Sequence, residues 1–436
     1  MLRHSIPFLL LPLLLWSCGN RPPAPLGGVD IPLIYISNDV HYFAKSLHDQ
    51  PTAERDGKNV EMMDSILQAL SYSTEPGIMI FNGDLTFNGE RESHLELANR
   101  LKAMEYRGLK IYVLPGNHDI ENPGARSLLK GKVSAVKSIS PADFRKIYRD
   151  FGYGEALSRD RETLSYIAQP APKLRLLMLD SAKYARNREL GYAEMGGAIP
   201  ASTREWIRSN AAAAQKDGTL LAAAMHHSLM DHHPMVNEDF TVDDAETLRE
   251  LFAEMGINFI LSGHIHAQEI SMRETSYGPV YDIATSALSV YPHQIGELKF
   301  SNNRWQYKVK AVDVEGWAEA NNIPDPRLQN FKSYSEDFFK QSSGEMVKRR
   351  LAMEFYLTIA EFNAISDLMT TLNARYFAGT EYINAMDIPQ SKGWRLLEEY
   401  QFEFLYGYAQ TIMNDSPPGN IELSIPVTPQ ASPPAP

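Results

Sequence analysis

Five short patches of the chain draw on one small set of side chains: Asp39-Val40-His41, Gly83-Asp84, Gly116-Asn117-His118-Asp119, Met225-His226-His227 and Gly263-His264-Ile265-His266. Carboxylate, imidazole and a single amide are donors that divalent cations accept. Two such cations side by side cleave phosphate esters. Asp39 and His41, two apart in a strand-end turn, can converge on one ion. Gly83 permits a tight turn, after which the Asp84 carboxylate can bridge two. Asn117 offers a neutral oxygen, His118 can face the substrate rather than a metal, and Asp119 is expected to orient the His118 imidazole. His226 and His227 are adjacent at a strand end and point to opposite sides, so one reaches the metal and the other stands behind it. His264 and His266 share a face. Taken singly, Asp-x-His and Gly-Asp arise often by chance; their ordered combination carries the argument.

Each patch follows an apolar run that reads as a buried strand: residues 33–37, 78–82, 111–114, 220–225 and 257–262, with a further run at 174–179. Helical stretches at 60–70, 93–106 and 245–255 alternate with them. This order predicts an α/β layered core with the ligands gathered at the carboxyl ends of the strands, where such sheets place their sites. Residues 281–290 and 297–312 are expected to be further strands completing a second sheet. The character then changes over residues 326–415. Met353, Tyr356, Leu357, Ala360, Ala364 and Leu368 recur at helical spacing and aromatics are frequent. A C-terminal helical domain is expected, packed on the core for stability rather than shaping substrate or a dimer.

A chain of 436 residues with 44% hydrophobic and 10% aromatic content has room for two or more domains and a large core. Its formal net charge of −12 argues against duplex binding, and hence against a nuclease on polymeric nucleic acid. The start is basic, and residues 8–16 form an apolar run too short to span a bilayer but suited to a secretory signal. Leu15-Trp16-Ser17-Cys18 resembles a bacterial lipoprotein signal with Cys18 as the lipidated residue, although Trp16 is bulkier than the usual small residue there. The expected organisation is a signal over 1–18, a Pro/Gly tether over 19–32, a catalytic domain over 33–313, the helical domain over 326–415 and a disordered Pro-rich tail over 416–436. The implied location is a bacterial cell envelope, with attachment to a membrane through lipid. Cys18 is the only cysteine, so the mature domain has neither disulfides nor thiolate metal ligands.

In order and content the patches resemble the calcineurin-like metallophosphoesterase superfamily, whose signature runs D-x-H, G-D, G-N-H-[DE], H, G-H-x-H. The resemblance covers roughly residues 33–313. It implies a β-sandwich of two mixed sheets flanked by helices and a pair of divalent cations (Mn, Fe, Zn, Co or Ni). One cation would be held by Asp39, His41, Asp84 and His266, the other by Asp84, Asn117, His226 and His264. His118 falls at the family's catalytic histidine, and the family pattern takes His226 rather than His227 as the ligand; Asp119 and His227 are expected behind the ligands or against the substrate. Purple acid phosphatases carry a tyrosine ligand where this chain has Phe87, and protein Ser/Thr phosphatases have Glu in place of Asp119. Gly83-Asp84-Leu85-Thr86-Phe87-Asn88-Gly89 and Asp39-Val40-His41-Tyr42 with Ser46-Leu47-His48-Asp49 are instead similar to bacterial cyclic-nucleotide phosphodiesterases of the superfamily. The expectation is therefore a phosphodiesterase acting on a small nucleotide. A phosphomonoesterase or nucleotide pyrophosphatase on the same site is the alternative, and a non-catalytic scaffold is disfavoured because no ligand is missing. Basic residues between Arg126 and Arg161 can steer a phosphate, though a solvated helix face explains them as well. Asp231, His232 and His233 read as polar loop.

Overall fold

In the runs at 174–179, 220–225 and 259–262, alternate side chains enter two different apolar clusters. Leu174, Leu176, Met178, Ala222, Ala224, Phe259 and Leu261 pack inward. Leu177, Leu179, Ala223, Met225 and Ile260 pack outward. Period two with both faces apolar is the pattern of strands covered on both sides. A computed structural model describes residues 30–49, 58–351, 357–382, 385–414 and 418–427. Its strands are β1 (Ile34–Ser37), β2 (Gly77–Asn82), β3 (Leu109–Leu114), β4 (Arg126–Leu129), β5 (Lys132–Ala135), β6 (Ser158–Arg159), β7 (Tyr166–Ala171), β8 (Leu174–Leu179), β9 (Leu220–Met225), β10 (Phe259–Ser262), β11 (Glu269–Thr275), β12 (Gly278–Ala284), β13 (Gln294–Ser301), β14 (Arg304–Ala311) and β15 (Glu422–Pro426). They form a six-stranded sheet in the order β15-β14-β13-β1-β2-β3 and a seven-stranded sheet in the order β11-β12-β10-β9-β8-β7-β6, with β4-β5 a separate hairpin.

The expected sandwich is therefore present. The parallel pairs β1/β2 and β2/β3 in one sheet, and β8/β9 and β9/β10 in the other, carry the site loops at their carboxyl ends. Helices α1 (Met63–Ser73) and α2 (Arg91–Glu105) cover the six-stranded sheet through Ile66, Leu67, Leu70, Leu97 and Leu101. Helices α3 (Ala201–Lys216) and α4 (Ala245–Glu254) cover the other through Ile207, Leu248, Leu251 and Phe252.

Three expectations change. The strand foreseen over 281–290 ends at Ala284, and the following residues form a loop. The single strand foreseen over 297–312 is the hairpin β13–β14, because Asn302 and Asn303 both adopt left-handed φ (52° and 55°), as a tight two-residue turn requires. That hairpin pairs with β1, whereas β12 lies in the opposite sheet. Lastly, residues 422–426 of the expected disordered tail form β15, paired with β14, with Ile425 buried in the main core. The signal segment, Cys18, most of the tether and residues 428–436 lie outside the described residues, as do Met353 and Tyr356.

The C-terminal stretch is helical, with α5 (Phe331–Leu351), α6 (Ile359–Ala378), α7 (Lys392–Tyr400) and α8 (Glu403–Met413). Its apolar cluster includes Leu368, Leu372, Tyr376, Leu397 and Ala409. The same cluster takes in Ile265 and Ala267, from the loop that carries His264 and His266. These helices thus rest on one of the site loops.

Two buried amides join the sheets at the site edge. Asn38, after β1, donates to the carbonyls of Ser262 (2.7 Å) and Thr285 (2.8 Å). Asn82, ending β2, donates to Met225 (3.0 Å) and Leu261 (3.1 Å). Replacing Asn82 by Ala is expected to lower the unfolding free energy by about 1–3 kcal/mol, since it deletes both cross-sheet bonds. Ile425→Ala should cost about 2–5 kcal/mol. Urea denaturation measures both; an unchanged midpoint for Ile425→Ala would return the 422–426 segment to the status of a loose tail.

Candidate metal centre

The backbone at this edge is held in conformations that most residues avoid. Asp39 (φ 50°), His41 (45°), Asp84 (46°), His264 (68°) and His266 (59°) all occupy the left-handed region. Each such residue costs on the order of 1–3 kcal/mol unless its surroundings dictate it. Here they do. Asp39 N donates to Gly83 O (3.2 Å), His41 N to Asp84 O (2.9 Å) and Gly263 N to His226 O (3.0 Å), so the loops hold one another. A Cβ on Gly83 would strike the His226 ring, and one on Gly116 would overlap the Asp84 carboxylate. Both positions therefore require glycine.

Two groups of side chains are close enough to hold a metal ion, and they share one carboxylate. Asp39, His41, Asp84 and His266 form the first, and Asp84, His226 and His264 the second, with ligand atoms within 4.8 Å of one another in each. In the first, His41 Nε2 and His266 Nε2 face each other at 3.1 Å, and His266 Nε2 lies 3.5 Å from Asp39 Oδ1. Asp39 Oδ2 accepts from His264 N at 3.0 Å, while Oδ1 is buried with no hydrogen-bond partner among the described residues. Ring nitrogens and an unpartnered carboxylate oxygen aimed at a common point suit a cation. In the second group, His226 Nε2 lies 3.4 Å from Asp84 Oδ1 and 3.3 Å from Asn117 Oδ1, which brings the amide oxygen to the same place. His226 Nδ1 donates to the Asn82 carbonyl at 3.0 Å. A carbonyl only accepts, so this bond keeps a proton on Nδ1 and makes Nε2 the nitrogen that a metal would take.

The electrostatics follow from burial and this crowding. Burial works against an ionised Asp84, but His118, His226 and His41 hold its carboxyl well below the usual range. Burial also works against a charged His226, yet Asp84 lifts the imidazole to about 9. His41 and His264 are driven well below the usual histidine value. Burial is the main cause in both, reinforced by Lys58 at His41 and by His227 at His264.

His118 joins neither group. Its backbone N–H donates to Asp84 Oδ1 (2.9 Å), its Nδ1 donates to the Phe87 carbonyl (2.7 Å), and its ring meets His41 edge-on at 4.9 Å. Asp119, expected to orient that imidazole, does something else. Its carboxylate accepts from Leu85 N, Thr86 N, Thr86 Oγ1 and Gly116 N at 2.8–3.0 Å, tying the Gly-Asp loop to the Gly-Asn-His-Asp loop. The Phe87 carbonyl takes over the orienting role. His227 points away from the ligands, as strand alternation requires. Ser181 Oγ (2.8 Å) and the Met195 carbonyl (2.8 Å) hold its ring, which lies 4.5 Å from that of His264.

Several participants escaped the sequence reading. Asn38 and Asn82 were legible in principle: each closes an apolar run and immediately precedes a patch. Lys58, whose charge reaches His41 and His118, had no local signal; its Nζ lies 5.6 Å from the Phe87 ring. Arg126 stands over the same ring at 5.3 Å. Arg145, Lys146, Arg149 and Arg159 from the basic stretch line a different cleft, together with Asp150 and Glu155.

Comparison with known proteins agrees with this geometry. A family model described as calcineurin-like phosphoesterase matches residues 32–268. One described as the C-terminal domain of cyclic nucleotide phosphodiesterase matches residues 313–417. No curated protein matches the chain. Similar solved structures include a dimetal phosphatase from Danio rerio, at 10% identity and a TM-score of 0.46, covering 64% of this chain and 96% of that one. A putative 5′-nucleotidase from Staphylococcus aureus, in complex with alpha-ketoglutarate, has 12% identity, a TM-score of 0.38 and coverage of 70% and 58%. A NAD nucleotidase from Haemophilus influenzae has 13% identity, a TM-score of 0.32 and coverage of 64% and 48%. Likenesses this slight carry no argument. The phosphoesterase match is different: it spans more than half of the 436 residues and takes in all five patches, and by it the chain belongs to the calcineurin-like phosphoesterases, dinuclear-metal phosphoric ester hydrolases.

Proposed function

We propose that the chain hydrolyses phosphodiester bonds of small nucleotides, cyclic nucleotides foremost. The observation that carries this is a donor set for two cations with one histidine left over, His118, at its rim. The likeness of residues 313–417 to the C-terminal domain of cyclic nucleotide phosphodiesterases supports the choice of substrate. In this reading Asp39, His41, Asp84 and His266 hold one cation, and Asp84, Asn117, His226 and His264 the other. When bound, the pair supplies Lewis acidity toward phosphoryl oxygens and makes water acidic enough to ionise near neutral pH.

The chain's own residues do the rest. Asp84 fixes the spacing of the two groups, and the Asn82 carbonyl keeps His226 in its binding tautomer. His118 is anchored through Nδ1 on Phe87, so Nε2 is the atom that turns to the substrate. A proton there neutralises charge growing on the phosphoryl group and passes to the leaving alkoxide. Burial lowers the His118 imidazole, and Asp84 opposes that shift; an incoming phosphate acts in the same direction as Asp84. Lys58 and Arg126 add positive charge on the Phe87 side. Export and lipid attachment at Cys18 belong to the same proposal, on the strength of Leu15-Trp16-Ser17-Cys18.

His118→Ala is expected to retain both metals by elemental analysis and to lose about 10²–10⁴-fold in kcat. Wild-type kinetics in the metal-replete variant would remove His118 from the mechanism. Asp84→Asn should lose metal from both sites, because it weakens the one shared ligand. A side-by-side assay of the Mn²⁺-loaded enzyme on 3′,5′- and 2′,3′-cyclic nucleotides, cyclic dinucleotides, dinucleotide pyrophosphates and monoesters tests the substrate class. Turnover of monoesters or pyrophosphates with none of any diester would overturn the reading.

A further inference from the structure

The loop after His226 and His227 passes between the site and the C-terminal helices, and a cavity of about 190 Å³ opens there. Phe240, His233, Ile265, Tyr376, Phe377 and Tyr408 are among the side chains that line it. It adjoins the metal centre directly. The Phe240 ring lies 5.1 Å from that of His264, and Ile265 belongs to the same Gly-His-Ile-His loop. Phe240 and Phe377 remain partly exposed, unlike core aromatics. The wall is largely aromatic and carries no Asp, Glu, Lys or Arg side chain. His233 Nδ1 accepts from Met235 N and Val236 N (3.1 and 3.2 Å), its Nε2 meets Thr411 Oγ1 (2.8 Å), and its ring stacks on Tyr408 at 5.0 Å. Burial lowers this imidazole to about 4, which keeps it neutral. Asn237 adds an amide, both donor and acceptor, to the same wall. Outward, a wider cleft of about 760 Å³ shares His232, His233, Asn237 and Tyr376 and gives access.

Pockets for drug-sized ligands run to roughly 300–1,000 Å³, so the inner cavity has room for one flat ring system. We propose that it receives the nucleobase of the substrate, held between the 232–241 loop and the C-terminal helices beside His264. This rests on the nucleotide reading above and gives the helical domain a share in substrate recognition. Aromatic walls bind bases by stacking, and an amide can pair with a base edge without demanding one particular base.

The test is equilibrium dialysis of the full Mn²⁺-loaded chain with adenosine 5′-monophosphate and with ribose 5-phosphate, which carries the same phosphate and no base. The nucleotide should bind about 10-fold tighter or more. Phe240→Ala should abolish that preference and Phe240→Tyr should keep it; Tyr408→Leu, on the helical side, should reduce it independently. Equal affinity for the two ligands in the wild type would overturn the inference. So would a Phe240→Ala variant that weakens both ligands alike, because Phe240 would then only brace His264. A base preference without turnover of any diester would overturn the phosphodiesterase reading and leave the base site standing. Diester turnover without a base preference would do the reverse.

Discussion

Two asparagine side chains hold the edges of two sheets together, and everything at the site depends on that grip. Asp39, His41, Asp84 and Asn117 follow strands of the six-stranded sheet, while His226, His264 and His266 follow strands of the seven-stranded one. Apolar packing between the sheets is strong but has little directional preference, and sliding by a fraction of an ångström would cost it little. Four amide-to-carbonyl bonds from Asn38 and Asn82 cross the gap where the apolar layer ends. A hydrogen bond weakens steeply as its geometry departs from ideal, so these bonds set the relative position of the edges where packing does not.

Within that frame the loops are over-determined. Five ligand residues take left-handed backbone conformations, each of which is costly in isolation. Mutual backbone bonds, the four bonds to Asp119 and the glycines under Asp84 and His226 leave them no relaxed alternative. The strain is maintained by contacts made on folding. The donor atoms are thus positioned by the chain itself, as a centre needs if its supporting shell is to fix its geometry.

The sequence disclosed the chemistry more readily than the architecture around it. The patches are local, and residues at fixed spacing after a strand must emerge at its end, so all seven proposed ligands and His118 meet at one edge. Strand alternation also separates His226 from His227. What escaped was decided by contacts between distant segments. Asp119 looked like a partner for its neighbour His118, but the free amides of Leu85 and Thr86 compete for its carboxylate and win. The turn at Asn302-Asn303 was open to view, because Ser301-Asn302-Asn303-Arg304 is a polar break, but the stretch around it was read as one continuous strand. A short stretch between prolines and glycines became a strand because β14 offered an unpaired edge. Lys58 acts on the site from a position that no motif marks.

The seating of the C-terminal helices on Ile265 and Ala267 has an evolutionary consequence. The loop that carries His264 and His266 is constrained from two sides, by the metal ligands it presents and by the helical layer packed on Ile265 and Ala267. Substitutions at Leu372, Tyr376 or Ala409 can reshape the ground beside the centre while all five patches stay identical. Two enzymes indistinguishable by their catalytic signatures can therefore differ in what they cleave. Divergence within such a lineage should be sought in the helices, where a signature search does not look.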